Sequence, residues 1–175
     1  RFAELYSGSQ KESEIIEYCA QYWPTKNLVE LAVLDTGNGI MHGLSTNPFL
    51  NISNERDALH LAMLPGVSGK MYKGVKKRKH DEWQNSGFGL YMTSRICRNG
   101  GDFFIASNDK SIFLDRTSKN DLECKYKGTA LRLRIDTSKI YSYSEMLAQY
   151  RNEGYEAAKK FSGKDAIEPS IASTM

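Results

Sequence analysis

No apolar run in this chain approaches the ~20 residues that a membrane-spanning helix needs, so no membrane segment is expected. Cysteine is scarce, with only Cys19, Cys97 and Cys124. An odd, sparse set argues against a disulfide framework and for reduced thiols, hence for a cytoplasmic setting. No secretory opening of basic then apolar residues heads the sequence. It begins at Arg1 rather than Met and is expected to be a piece of a longer protein. Charge of one sign is also lacking: 24 Lys and Arg against 21 Asp and Glu leave +3, too little by itself to point to nucleic acid. His42, His60 and His80 have no zinc-like spacing with one another or with the cysteines. No serine or cysteine stands in a recognisable nucleophile setting.

The common phosphate and metal loops are missing too. A P-loop needs G-x-x-x-x-G-K followed by Ser or Thr, but Gly69-Lys70 runs into Met71 and Leu64 holds the place of the first glycine. A dinucleotide fingerprint needs G-x-G-x-x-G; Gly37-x-Gly39 reaches His42, and Gly87-x-Gly89 reaches Met92. A calcium loop starting at Asp35 would have Gly37 and Thr46 at ligand positions.

What is present is ordinary bulk around unusual glycines. The chain has 175 residues, 40% hydrophobic and 26% charged, the balance of a globular domain. Residues 14–23 read as a strand, with a helix the alternative given their charges and Ala20, and as a strand they neighbour 28–34 across the turn Pro24-Thr25-Lys26-Asn27. The almost wholly apolar 28–34 suggests an interior strand covered on both faces. A Gly-rich loop follows, then a helix over 54–64 with Asn54 as its cap three residues before Asp57. Residues 66–85 carry Lys70, Lys73, Lys76, Lys77, Arg78 and Lys79 with almost no apolar periodicity, and read as a long mobile loop able to act as a lid. A helix over 89–99 stops at Gly100-Gly101. Asn108-Asp109 suggests a hairpin turn between short strands 102–107 and 111–114, and 116–127 reads as a polar loop. Residues 129–135 alternate, with Leu131, Leu133 and Ile135 on one side and Arg132 and Arg134 on the other. Residues 143–161 read as a helix, or two broken near Gly154, and 162–175 as a linker. Five or so strands and three or so helices that do not alternate predict an α+β fold: a two-layer α/β sandwich, its sheet mixed but mostly antiparallel, with helices on one face. The expected division is a domain over 1–136 and a helical segment with linker over 137–175.

Asp35-Thr36-Gly37-Asn38-Gly39-Ile40 directly follows the apolar strand. Asn85-Ser86-Gly87-Phe88-Gly89-Leu90 heads a helix, and Gly128-Thr129 opens a late strand. This ordered set resembles the GHKL superfamily, the ATP-binding domains of histidine kinases, gyrase, mismatch-repair ATPases and a heat-shock chaperone. The resemblance spans about 14–135 and implies a Bergerat-type sandwich that binds ATP with Mg²⁺. It implies that Asp35 accepts a hydrogen bond from the adenine amino group and that Thr129 helps hold the base. Glycines at 37 and 39 let the backbone turn close to the base. Around the second motif, free backbone N–H groups and the helix dipole suit phosphate. That gives a candidate nucleotide site of Asp35, Gly37, Gly39, Ile40, Asn85, Ser86, Gly87, Phe88, Gly89, Leu90 and Thr129. Lys70, Lys73, Lys76 and Lys77 are candidates for a phosphate lid.

The family also carries a motif helix with a water-activating glutamate and a Mg²⁺-binding asparagine. Aligned on Glu4-Leu5-x-x-Gly8-Ser9, the chain offers Glu4 as the base but Gly8 in place of the asparagine. Binding and turnover are therefore separate expectations. One reading is an ATPase or histidine-kinase-type phosphotransferase domain working with other domains or a protein partner. The alternative is a degenerate, non-hydrolysing nucleotide sensor or interaction module. A third, nucleic-acid binding through 70–79, is disfavoured because only Tyr72 and Trp83 supply aromatics among the lysines. Each residue also has an ordinary reading: Asp35 as a turn cap, the glycines as tight loops, Thr129 as a strand residue.

Overall fold

The computed structural model describes residues 16–70, 72 and 86–162. Among these residues, four strands form one sheet in the order β1-β2-β4-β3: β1 Ile16–Trp23, β2 Leu28–Asp35, β3 Asp102–Leu114 and β4 Lys119–Asp136. Among the described residues every pairing is antiparallel. The helices are α1 Gly39–Leu44, α2 Glu55–Ala62, α3 Gly89–Cys97 and α4 Tyr143–Ser162. The result is an α+β two-layer sandwich.

Register explains which face is covered. Val29, Leu31 and Val33 of β2 lie opposite Ile135, Leu133 and Leu131 of β4, and those lie beside Phe103 and Ile105 of β3. Directly opposed residues share a face. This face meets Leu59 of α2 and Met63 just after it, Cys97 and Leu90 of α3, and Ile40 of α1. The other face carries Glu30, Ala32 and Leu34, and there Asp102 bridges Arg132 at 2.6 Å and Arg134 at 3.1 Å. β2 is thus interior to the sheet but half-buried at every position, not covered on both faces. Among the described residues, no helix is long and apolar enough to cross a membrane. The three cysteines are free, and burial, with the nearby Asp102 charge, pushes the Cys97 thiol up to about 12. It behaves as a small apolar core residue rather than a nucleophile.

The helices follow their local chemistry. Asn54 caps α2 by accepting from the Asp57 N–H at 2.9 Å, as its spacing suggests. α3 stops where the Gly101 N–H reaches the Cys97 carbonyl. Residues 39–44, expected as loop, wind into the short α1. Gly154 does not break α4. A Cβ there would stand 2.6 Å from the Tyr91 ring, so the glycine lets α4 lie against α3. Phe88, Met92, Leu147 and Ala158 fill that contact.

The largest departure is the hairpin. Residues 102–114 are one strand, and Asn108-Asp109 is a β-bulge rather than a turn. Asn108 has φ +53°, a conformation asparagine tolerates in bulges and turns alike. The polar segment 119–127 is the outer half of β4. The true turn is closed by Asp115, which accepts from the Thr117 N–H at 2.8 Å, the Ser118 N–H at 2.7 Å and the Ser118 hydroxyl at 2.8 Å. These bonds, the Thr117 N–H first, hold its pKa down at about 2, against about 3.9 for an unstructured aspartate. Because the folded value is the lower, the carboxylate's support of the turn is complete above about pH 4 and is lost as pH falls through about 2. The Thr117 and Ser118 amide resonances should titrate with that low midpoint, and Asp115→Ala should abolish the transition. A midpoint near that of a free aspartate would contradict this account.

Candidate functional site

Asp35 is the last residue of β2, in register with Thr129 of β4. Its Oδ1 accepts two backbone N–H groups, from Gly37 at 2.9 Å and from Thr129 at 3.2 Å. The Tyr126 hydroxyl donates to the Asp35 main-chain oxygen at 3.0 Å. Burial, then the charges of Asp35 and Glu17, push the Tyr126 phenol up, which keeps it a donor. Gly128 makes the close approach possible. It has φ +116°, and a Cβ there would stand 2.0 Å from the Asp35 oxygen. The carboxylate is thereby held on one oxygen, while Oδ2 takes no hydrogen bond among the described residues. An oriented acceptor with one open oxygen suits a ligand N–H.

The chain then turns into α1, where the Ile40 N–H donates to Ser107 Oγ at 2.8 Å. The Ile40 side chain packs with Leu90 of the second motif in two shared apolar clusters. The root of the basic segment fastens the motifs further. Thr46 Oγ1 donates to the Gly69 carbonyl at 2.9 Å, Asn47 Nδ2 to the Ser68 carbonyl at 2.8 Å, and the Gly66 N–H to the Gly87 carbonyl at 3.1 Å. Residues 66–69 are thus tied to the segment after α1 on one side and to Gly87 of the second motif on the other, and Lys70, next in the chain, is exposed.

In the second motif, Ser86 is buried and Phe88 is fully buried under α4. Only the main chain of Phe88 is left to meet a ligand. Gly89 is exposed, and a Cβ on it would meet nothing within 4 Å. Packing therefore does not require that glycine. The α3 N-terminus has no side-chain cap, and the Gly89 and Leu90 N–H groups find no acceptor among the described residues. Such an end attracts anions.

Glu4, Lys73, Lys76, Lys77 and Asn85 lie outside the described residues. Sequence reasoning missed Tyr126, Glu55, Ser107 and Asn108; the sole hint was Asn108, read as turn chemistry. A separate hollow of about 290 Å³ is lined by Arg56, Lys110, Ser111, Asp121, Leu122 and Glu123. Its charges are already paired, Arg56 with Asp121 at 2.6 Å and Lys110 with Glu123 at 2.7 Å, and it includes no glycine-motif residue. No group of three or more His, Cys, Asp or Glu side chains among the described residues could hold a metal ion. No model of a known protein family matches the chain, and no curated protein is significantly similar to it.

Proposed function

We propose that this chain is an adenine-nucleotide-binding domain of the histidine-kinase-like ATPase kind, taking ATP with Mg²⁺. The observation that carries the reading is the Asp35 carboxylate: Oδ1 is fixed by the Gly37 and Thr129 N–H groups, and Oδ2 is open. Adenine offers an amino donor to such an acceptor. Guanine offers a carbonyl at the same place and leaves two acceptors facing each other, a mismatch that buried polar sites reject strongly. The uncapped α3 N-terminus, with Gly89 open in front of it, supports a phosphate end. Lys70 at the root of the basic segment adds positive charge. A Mg²⁺ accompanying the phosphates is proposed without a protein ligand, and no chemical step is assigned to it.

Calorimetric titration with ATP, ADP, GTP and a non-hydrolysable ATP analogue, with and without Mg²⁺, tests the reading. Both adenine nucleotides and the analogue should bind, and GTP should bind at least about tenfold more weakly. Equal binding of ATP and GTP, or no binding of either, would overturn it. Phosphate release in the same samples separates an ATPase from a nucleotide sensor.

A further inference from the structure

A polar cluster lies behind the first glycine loop, and several segments of the base end converge on it. Ser107 Oγ accepts the Ile40 N–H at 2.8 Å and donates to Glu55 Oε2 at 2.9 Å. Asn108 Nδ2 donates to Glu55 Oε1 and, at 3.4 Å, to the Asn38 carbonyl. Asn108 Oδ1 accepts the Gly128 N–H at 3.3 Å. Only one orientation of the Asn108 amide works, because a carboxylate needs a donor and a backbone N–H needs an acceptor. Gly39 is fitted to the same cluster: a Cβ there would stand 2.4 Å from Asn108 Nδ2 and 2.7 Å from Ser107 Oγ. The bulge places Asn108 opposite Tyr126, whose hydroxyl holds the Asp35 carbonyl.

We propose that Glu55 and Asn108 are positioning residues of the nucleotide site. One carboxylate, acting through two side chains, sets the spacing between the first glycine loop and the Gly128-Thr129 segment, so that Asp35 and Thr129 face the same ligand. The proposal rests on the nucleotide reading for its ligand, and its geometry can be tested without one.

Polarity makes the test specific. Asn108→Asp removes the donor and sets a carboxylate against Glu55, a like-charge contact in a partly desolvated place. Adding Glu55→Gln inverts the pair. The introduced amide then donates to the introduced carboxylate and its oxygen still accepts from Ser107, while the Gly128 N–H keeps its acceptor. Only the long contact to the Asn38 carbonyl is lost.

In the full chain, Asn108→Asp should speed hydrogen exchange of the Ile40 and Gly128 amides and weaken ATP binding, each by about tenfold or more, and the double variant should restore both. Ser107→Ala, a milder change, should speed exchange at Ile40 but not at Gly128, which keeps the proposal testable if Asn108→Asp does not fold. Unchanged protection in Asn108→Asp, a double variant no better than the single one, or equal effects of Ser107→Ala at both amides would each overturn the proposal. The predicted exchange pattern in a chain that binds no adenine nucleotide would overturn the nucleotide reading alone and leave the brace between the two segments standing.

Discussion

Asp35→Asn is expected to lower ATP affinity by more than tenfold, a loss of over ~1.4 kcal/mol, while the fold survives. The asparagine oxygen can keep the Oδ1 bonds to the Gly37 and Thr129 N–H groups. Its amide nitrogen then occupies the open position, so a donor faces the donor of adenine. The same swap should raise the GTP-to-ATP affinity ratio, since a guanine carbonyl now meets an N–H. Asp35→Ala is the poorer experiment, because it also frees the two N–H groups and confounds loss of binding with loss of structure. Calorimetry showing wild-type affinity in Asp35→Asn would sink the assignment of the base end.

Phe88→Ala is expected to have the largest effect on stability. The ring is fully buried among Met92, Leu147 and Ala158. It also abuts Gly66 and Gly154, whose added Cβ atoms would lie 3.6 Å and 3.2 Å from it. Deleting such a ring typically costs about 3–5 kcal/mol, which lowers Tm by roughly 6–20 °C in a chain of this size. Phe88→Leu should keep much of the stability and leave ATP affinity unchanged. Were the ring a ligand contact, the pattern would reverse, with affinity falling while Tm held.

The parts of the fold legible in the sequence were those whose signals are local. Asn54 and Asp57 sit within one turn and announce α2. The alternation of Leu131, Leu133 and Ile135 against Arg132 and Arg134 announces the inner half of β4. The hairpin was misread because the same asparagine chemistry serves a turn and a bulge, and only the partner strand distinguishes them. The outer half of β4 looked like a loop because only Cys124 and Tyr126 of residues 119–127 are even half-buried, although Leu122, Cys124 and Tyr126 alternate with Asp121, Glu123 and Lys125. Gly154 read as a break because the Tyr91 ring that explains it belongs to another helix. In the candidate site, the sequence picked out Asp35 and Thr129, which the sheet register sets side by side. The Glu55, Ser107 and Asn108 cluster was invisible, since its members stand 52 and 53 residues apart and none belongs to a motif.

The bond from the Thr129 N–H to Asp35 also orders events in time. It joins residues 94 apart, whereas the turn at Asp115 closes over its next three neighbours. Short closures cost less chain entropy, so the β3–β4 hairpin is expected to form before the β2–β4 pairing that brings Thr129 to Asp35, an order that φ-values at the two pairings would check. Residue 129 must leave the ribosome before Asp35 acquires the partner that aims it.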